Sequence, residues 1–278
     1  MKKSNLFSLS VGLLLSTALM AQNAAPPATT PGAAPAAAPN PRGNPADTEV
    51  WEPVPKIVTP GKSFTDAPSD AIVLFDGKNL DQWVATKDKT PANWTIADGV
   101  FTVNKAVRGN NIETKRSFVN YQLHLEWRIP ANITGEGQAR GNSGLFLAST
   151  GAGDSGYEIQ IMDVYNNENK TYVNGMAGSI YKQFIPLANP SRKSGEWNTY
   201  DIAWIAPTFN EDGSVKTLAR VTLFYNGVLV QNNVELKGET LYIGKPVYKK
   251  YESAPIKLQA HGDPSEPVSF RNIWIRDL

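Results

Sequence analysis

The segment GYEIQIMD, from Gly156 to Asp163, decides the fold class of this chain. Glu158 and Gln160 alternate with apolar residues, a period of two that is typical of a β-strand whose two faces differ. The apolar face, which can pack on a core, consists of Tyr157, Ile159 and Ile161. Because Glu158 and Gln160 point the same way from the strand, the segment predicts a polar pair on the opposite face.

Asp163 follows Glu158 by an odd number of positions, so a regular strand would turn its side chain to the other face. A one-residue bulge between Gln160 and Asp163 would bring the three polar groups together, and bulges are common beside active sites. The alternative is a polar row that simply faces solvent, as on many antiparallel sheets.

Short alternating runs recur along the chain, whereas helical periodicity is almost absent. The 22 Gly and 20 Pro residues suit a turn-rich β protein, and Asn226-Gly227 between two apolar runs is a strong hairpin signal. We therefore predict an all-β fold, an antiparallel β-sandwich of jelly-roll type with helices limited to single turns. The predicted strands are Ala71–Phe75, Trp94–Ala97, Val100–Val103, Gln122–Arg128, Gly144–Ala148, Tyr157–Met162, Trp197–Ile205, Arg220–Tyr225, Val228–Val234, Ile256–Ala260 and Ser269–Arg276.

The beginning of the chain is organised in segments of different composition. Residues 1–21 have two lysines, an apolar run and a small final residue, and predict a signal peptide. The run is too short to span a membrane comfortably, so we expect an exported protein, periplasmic or extracellular, without a transmembrane segment after signal removal. Residues 22–47 are rich in Ala and Pro and predict a disordered, extended linker. The folded domain is expected at residues 48–278.

Composition excludes several classes of function. The chain has no cysteine, so it has no disulfide framework and no thiolate site. A net charge of +1 gives no reason to expect nucleic acid or an anionic membrane as partner. Phosphate-binding loops, nucleophile elbows and zinc-spaced histidines are absent. The sequence requires no cofactor. It leaves open an oxygen-ligated divalent cation, although no ligand spacing argues for one, and it leaves the oligomeric state open.

Both histidines of the chain lie on polar strand faces. In the strand Tyr121–Arg128, His124 and Glu126 share one face, which is how a sheet can present an acid/base pair, although a solvent face could carry the same residues. His261 shares the polar face of a later strand with Gln259. The predicted catalytic candidates are Glu158, His124, Glu126, His261 and Asp163.

Two long loops flank these polar strands, and such loops usually bind ligands or are disordered. Asn142 follows the loop Pro130–Gly141, and Tyr181 follows the loop Val164–Gly178. Each has a structural alternative, since Asn142 could form a turn and Tyr181 could fill the core. Arg271, on a C-terminal strand, could point into a site or cap a sheet edge. The predicted substrate-binding residues are Gln160, Asn142, Tyr181, Gln259 and Arg271.

The sequence resembles the bacterial 3-keto-disaccharide hydrolase domain family in motifs that follow one another across nearly the whole domain. These motifs are Leu74–Trp83 (LFDGKNLDQW), Leu125–Arg128 (LEWR), Gly141–Gly144 (GNSG), Tyr157–Asp163 (YEIQIMD), Gly195–Asn198 (GEWN), Leu258–His261 (LQAH) and Phe270–Ile273 (FRNI). The resemblance implies a concanavalin A-like sandwich of two curved sheets, a fold shared with lectins and laminarinase-like glycoside hydrolases.

Those hydrolases carry the motif Glu-x-Asp-x-x-Glu on a bulged strand. The corresponding residues here are Glu158, Gln160 and Asp163, so the middle acid is an amide and the last acid is shorter. This departure argues against double-displacement hydrolysis, which needs two carboxyl groups about 5–5.5 Å apart.

The resemblance implies a different reaction on a sugar already oxidised to a ketone at C3. A base removes the acidified hydrogen at C2, the glycosidic oxygen leaves C1, and water adds to the resulting enone. The base and the acid that protonates the leaving group are expected among His124, Glu126, Glu158 and His261. Three amides would orient the sugar or stabilise the enolate oxygen: Gln160, Gln259 and Asn142. A divalent cation could polarise the C3 ketone and the C2 hydroxyl instead.

Two other classes of function remain in view. A non-catalytic carbohydrate-binding module on the same scaffold would show exposed aromatic rings and bind unoxidised glycans. A protein-interaction domain at the end of the linker would show an apolar patch instead of a polar cleft. The polar placement of both histidines favours the enzyme, whose partner would be an oligosaccharide or glycoside substrate.

Overall fold

A computed structural model describes residues 43–167 and 170–278. The signal peptide predicted at residues 1–21 and most of the predicted linker lie outside these residues. The chain divides into two compact units, Met1–Pro55 and Lys56–Leu278. In the first unit the described residues form one 3-10 turn, Pro45–Thr48.

All the strands of the described residues lie in the second unit. They are β1 (Ile72–Phe75), β2 (Trp83–Ala85), β3 (Thr95–Ala97), β4 (Val100–Thr102), β5 (Ile112–Thr114), β6 (Tyr121–Arg128), β7 (Ser143–Ser149), β8 (Gly156–Ile161), β9 (Trp197–Ile205), β10 (Thr208–Phe209), β11 (Val215–Thr217), β12 (Arg220–Tyr225), β13 (Val228–Glu235), β14 (Lys257–Leu258) and β15 (Ser269–Asp277). Two further 3-10 turns are Gly137–Ala139 and Val173–Gly175. None of the helical segments described here is long and apolar enough to cross a membrane.

Two antiparallel sheets pack on a common core. The eight-stranded sheet has the order β13-β12-β9-β6-β15-β4-β3, with β1 paired to β15. The five-stranded sheet has the order β2-β5-β14-β7-β8. Apolar residues of both sheets form one buried cluster between them. This arrangement confirms the predicted all-β antiparallel sandwich.

The alternation of apolar and polar residues predicted most of the longer strands at or near their observed positions. Trp197–Ile205 and Arg220–Tyr225 are strands at the predicted residues. The predicted hairpin is confirmed, because Asn226 and Gly227 have φ angles of 50° and 78°, as a type I′ turn requires. The strands that the sequence did not indicate, such as β2 and β5, have only three residues, too few for alternation to be recognised.

Two buried tyrosines join the sheets through their hydroxyl groups. Tyr121 of β6 donates a hydrogen bond to the Leu147 carbonyl of β7, at 2.6 Å. Tyr200 of β9 donates to the Gln160 carbonyl of β8, at 2.8 Å. Both rings are fully buried. The strand that carries Glu158 and Gln160 is therefore tied to the opposite sheet by a specific polar contact as well as by packing.

We expect Tyr200→Phe to lower the free energy of unfolding by about 1 kcal/mol, because it removes one donor from a buried carbonyl. The Gln160 carbonyl also accepts a hydrogen bond from the Gly178 N–H, at 3.1 Å. Urea unfolding measures the loss. Tyr242→Phe is the matched control, since Tyr242 is largely exposed. Equal stability of Tyr200→Phe and the parent protein would contradict the assignment.

Candidate active site

A cavity of about 250 Å³ lies on the face of the five-stranded sheet that points away from the core. Six of the ten sequence-predicted site residues line it: Asn142, Glu158, Gln160, Tyr181, Gln259 and His261. Its other lining residues, which the sequence reasoning missed, are Gln138, Asp154, Thr240 and Tyr242. The missed residues belong to loops, where no periodic pattern marks the direction of a side chain.

Neighbouring strands place the central groups of this cavity. Gly144 of β7 lies opposite Gln160 of β8 in the register, and its carbonyl accepts a hydrogen bond from the Gln259 N–H at 2.9 Å. A Cβ atom on Gly144 would lie 2.5 Å from the Glu158 Oε1 atom. The absence of a side chain at Gly144 therefore makes room for the Glu158 carboxyl group.

The amide side chains on one wall form a fixed chain of hydrogen bonds. Gln160 Nε2 donates to Asn142 Oδ1 at 2.7 Å. Asn142 Nδ2 in turn donates to the Gln138 carbonyl at 2.8 Å and to its Oε1 atom at 3.1 Å. Because each amide holds the next, this wall presents polar groups in a set orientation.

Glu158 is only 5% exposed, and the described part of the chain places no hydrogen-bond donor on its carboxyl group. Burial raises the pKa of Glu158 to about 8, the negative charge of Asp154 adds to this effect, and the positive charge of Lys257 opposes it. A buried carboxyl without a donor favours its neutral form. Glu158 thus carries a proton at neutral pH and can donate it.

His261 provides a second proton-transfer group in the same cavity. Its Nδ1 atom lies 3.0 Å from the Asp263 Oδ2 atom, and its side chain is 36% exposed. Burial opposes ionisation of Asp263, but hydrogen bonds from His261, Ser265 and Lys105 outweigh it and lower the pKa of Asp263 to about 2. The Asp263 N–H lies 3.2 Å from the same Nδ1 atom. In the tautomer that carries its proton on Nδ1, directed at the carboxylate, Nε2 of the ring is an acceptor.

Aromatic rings form one rim of the cavity. The Tyr172 and Tyr181 hydroxyls are hydrogen-bonded to each other. The Lys182 ammonium lies 4.1 Å from the centre of the Tyr242 ring and 5.4 Å from that of Tyr172. Tyr242 is 70% exposed. An exposed aromatic face of this kind can stack on a sugar ring.

A second cavity, of about 490 Å³, continues from the first. The two share Gln138, Asp154, Gln259 and His261. The Gln259 Oε1 atom is buried and has no hydrogen-bond partner among the described residues. Since a buried polar atom without a partner is costly, this oxygen is available to a ligand that spans the two cavities.

Asp163 does not join this site. Strand β8 ends at Ile161, so the bulge predicted between Gln160 and Asp163 is absent, and that expectation is wrong. The Asp163 Oδ2 atom accepts hydrogen bonds from Arg140 Nε at 2.7 Å and from Ser194 Oγ at 2.9 Å. These contacts tie loops together at the end of the strand.

His124, Glu126 and Arg271 lie on the other sheet, on β6 and β15, in an arrangement we call the outer-face cluster. The His124 Nδ1 atom lies 2.6 Å from the Asp201 Oδ1 atom. The Glu126 carboxylate accepts from Arg271 Nε at 2.6 Å and from Asn272 Nδ2 at 2.9 Å. The structure therefore does not bring these three predicted residues together with Glu158 and His261.

The outer-face cluster is covered by an earlier part of the chain. The His124 ring stacks on Trp274 with centroids 5.3 Å apart, and Trp274 Nε1 donates to the Thr65 carbonyl at 2.9 Å. Asn272, which has a φ angle of 46° at an irregularity in β15, donates to the same carbonyl. Because His124 is fully buried under these residues, it is closed to a substrate.

Hydrogen bonding sets the charges in the outer-face cluster. Burial alone would raise the pKa of Glu126, but hydrogen bonds from His124, Asn272 and Arg271 lower it to about 2. For His124, burial favours the neutral ring, yet hydrogen bonds to Asp201 and Glu126 outweigh it, so the pKa of His124 is raised. The cluster is a network of charged groups that stabilises the sheet.

The divalent cation that the sequence leaves open stays a prediction. Within residues 43–167 and 170–278, no group of three or more His, Cys, Asp or Glu side chains could hold a metal ion.

We expect Asp201→Asn to destabilise the protein by about 1 kcal/mol at pH 5.5 and by less at pH 9. The raised pKa of His124 contributes stability that is fully present below the ordinary histidine pKa of 6.5 and is lost as the pH rises through the folded-state value. The substitution removes the negative charge of Asp201, which helps to raise the pKa of His124. The new amide oxygen can still accept a hydrogen bond from Nδ1–H. Urea unfolding at the two pH values measures the difference, and a loss that is equal at both would contradict this role.

Comparison with known proteins agrees with the fold. Residues 70–276 match the family model of the 3-keto-alpha-glucoside-1,2-lyase-like domain. A 3-keto-disaccharide hydrolase of Bacteroides thetaiotaomicron is 26% identical over 152 residues, which are 46% of this chain and 50% of that protein. The alignment thus spans half the length of that relative.

Two crystal structures of proposed glycosyl hydrolases from Parabacteroides distasonis are similar to this chain. One is 53% identical, with a TM-score of 0.77 over 85% of this chain and 97% of that one. Another, at 24% identity and a TM-score of 0.53, covers 75% of this chain and 99% of that one, and it supports the fold alone. By the family match across residues 70–276 and by its concanavalin A-like sandwich, the chain belongs to the 3-keto-alpha-glucoside-1,2-lyase-like domain family.

Proposed function

We propose that the chain is an exported enzyme that cleaves 3-keto-glycosides, including 3-keto-disaccharides, by elimination followed by hydration. The observation that carries the proposal is the pairing, in one cavity, of a buried protonated carboxyl group, Glu158, with a histidine oriented by a carboxylate, His261. The family match and the name of the Bacteroides relative support a glycoside-cleaving activity. Export rests on the signal peptide predicted at residues 1–21.

In the elimination step His261 acts at C2 of the sugar and Glu158 acts at the glycosidic oxygen on C1. The Nε2 atom of His261 takes the proton from C2, which the C3 ketone has made acidic, and the electron pair of that C–H bond forms the C1–C2 double bond. The bond from C1 to the glycosidic oxygen breaks as Glu158 delivers its proton to that oxygen. The products of this step are an enone and a neutral alcohol, with His261 protonated and Glu158 ionised.

Hydration returns both groups to their starting state. Water adds its oxygen to C1 and gives a proton to the Glu158 carboxylate, while His261 returns its proton to C2. The product is the free 3-keto sugar. Amide groups of Gln160, Asn142 and Gln259 orient the sugar and stabilise the enolate oxygen of the intermediate. The Tyr242 ring offers a stacking face at the rim.

This division of roles follows from the environments of the two groups. An acid must hold its proton at the working pH, and the raised pKa of Glu158, about 8, provides this. The activity is therefore expected to fall as the pH rises through about 8, where Glu158 loses the proton it donates. An unoxidised glycoside has no ketone to acidify C2 and is not a substrate.

A non-catalytic carbohydrate-binding module is the second candidate, and the aromatic rim favours it. A module of this kind would use the exposed Tyr242 ring and would have no use for a buried, protonated carboxyl group. Binding of unoxidised glycans without turnover of any 3-keto-glycoside would support the module and overturn the enzyme.

The acid role of Glu158 is tested with two leaving groups. We expect Glu158→Gln to lower kcat/KM about 10²- to 10⁴-fold for a 3-keto-glucoside with an alkyl or sugar leaving group. For a 3-keto nitrophenyl glucoside the loss should be less than about tenfold, because nitrophenolate leaves without a proton. Glu126→Gln, the same change in the outer-face cluster, is the matched control and should leave turnover unaltered. An equal loss for both leaving groups would assign Glu158 to the base instead.

Gly144→Ala tests the position of the same carboxyl group. The added methyl group would lie 2.5 Å from Glu158 Oε1, and the flexible end of Glu158 must turn away. We expect an intact fold and a loss of about 10²-fold in kcat for the alkyl or sugar leaving group, since a displacement of about 1 Å has such an effect. Circular dichroism and thermal unfolding check the fold. Unchanged kcat would show that the space at Gly144 is not needed.

A further inference from the structure

Lys257 is a fully buried lysine beside the cavity, on β14 of the five-stranded sheet. Its ammonium group donates hydrogen bonds to three backbone carbonyls of the loop that joins β7 and β8: Gly151 at 3.0 Å, Gly153 at 2.9 Å and Ser155 at 2.8 Å. The three donors of the ammonium group are thus all satisfied by one short loop.

The same loop of residues 150–155 carries Asp154, which lines both cavities. Asn111 Nδ2 donates to the Gly153 carbonyl and to the Asp154 Oδ1 atom, at 3.1 Å each. The loop is therefore held from two sides, by Lys257 on β14 and by Asn111, which immediately precedes β5. Asp154 is exposed, and it is held by these backbone contacts together with the hydrogen bond from Asn111 to its carboxylate.

A buried ammonium group is strongly unfavourable unless its hydrogen bonds are satisfied. If the loop of residues 150–155 opened, Lys257 would lose all three of its acceptors at once. No described acidic side chain lies within ion-pair distance of Lys257, although Glu113 is its neighbour across the sheet. The charge of Lys257 therefore stabilises the closed position of this loop more firmly than an apolar side chain could.

We propose that Lys257 is a positioning residue for Glu158: its ammonium group clamps the loop of residues 150–155, and the clamped loop holds the Asp154 carboxylate against the Glu158 side of the cavity. The inference rests on the acid role of Glu158 proposed above.

The charged groups around this loop affect the pKa values of Glu158 and Lys257. Burial favours the neutral form of Glu158, Asp154 acts in the same direction and Lys257 acts against it. Burial also lowers the pKa of Lys257 to about 8; Glu113, Asp154 and Glu239 oppose this change, and Lys89 adds to it. Loss of Lys257 thus has two opposite effects on Glu158, one through its own charge and one through the position of Asp154.

A double-mutant cycle separates these two effects. The pKa of Glu158 is measured without substrate by carboxyl ¹³C NMR, with Glu158→Gln identifying the resonance. We expect Asp154→Asn to lower that pKa by about half a pH unit in the parent protein, because it removes a neighbouring negative charge. In a Lys257→Met background the same substitution should lower the pKa of Glu158 by less, since of the two holding groups Asn111 alone then remains on the loop.

If Lys257 acted on Glu158 only through its own charge, the double-mutant cycle would give a different result. The shift caused by Asp154→Asn would then be equal in both backgrounds, and that outcome overturns the proposal. No shift in the parent protein also overturns it, and this arm uses an exposed residue whose replacement does not threaten the fold.

Hydrogen exchange tests the clamp itself. Amides of residues 150–155 should exchange at least about tenfold faster in Lys257→Met than in the parent protein. Lys89→Met is the matched control, because Lys89 contacts Glu113 from outside and touches none of the three carbonyls. Equal protection in Lys257→Met and the parent protein overturns the clamp.

Turnover distinguishes this proposal from the proposed function. With active enzyme, the alkaline limb of kcat/KM should move with the NMR pKa of Glu158 across the four members of the cycle. If the expected NMR and exchange results appear but no 3-keto-glycoside is cleaved, the clamp stands and the proposed function fails. If the keto substrate is cleaved while NMR and exchange are unaltered by Lys257→Met, the proposed function stands and the clamp fails.

Discussion

The burial of one carboxyl group without a hydrogen-bond donor is the constraint on which the site depends. An ionised carboxylate in such surroundings is strongly unfavourable, so the group stays neutral instead. Glu158 can remain there because Gly144 leaves space for it and because its strand cannot shift. Tyr200 reaches across the core to hold the carbonyl of Gln160, two residues further along that strand. The stability of the sandwich thus maintains a proton on an acid that solvent would otherwise remove.

The comparison of Glu158 with Glu126 shows how surroundings decide the role of a residue type. Both are buried glutamates on β-strands, and both lie beside polar groups. Glu126 receives hydrogen bonds from Arg271 and Asn272 and has a pKa of about 2, whereas Glu158 receives none from the described residues and has a pKa of about 8. Donors favour the ionised form, and burial without donors favours the neutral form. The first arrangement links neighbouring strands of one sheet, and the second suits the acid role proposed for Glu158.

Alternation in the sequence predicts which strand face a residue occupies, but it does not predict to which sheet the strand belongs. His124 and His261 follow the same pattern, and the sequence therefore grouped them. In the structure β6 lies in the eight-stranded sheet, whereas β14, which leads to His261, lies in the other. Strand order depends on contacts between distant parts of the chain, which no local period records. Asp163 was misplaced for a related reason, because the end of β8 at Ile161 is set by the loops that follow.

The sequence indicated the residues on strands better than those on loops. Glu158, Gln160 and Gln259 were found from alternation and from neighbouring polar faces, and they do meet in one cavity. Asp154 and Tyr242 were missed because a loop gives no periodic signal for the direction of its side chains.

The difference between strands and loops also affects how the sequence of such a protein can evolve. The strand that carries Glu158 is held by hydrogen bonds and packing that involve both sheets, so many substitutions near it would destabilise the whole domain. The rim is different, since Tyr172, Lys182 and the exposed Tyr242 belong to connecting segments. Loops tolerate substitution and insertion far better than core strands. Proteins with this scaffold can therefore diverge in the residues of the rim while the buried groups of the cavity stay the same.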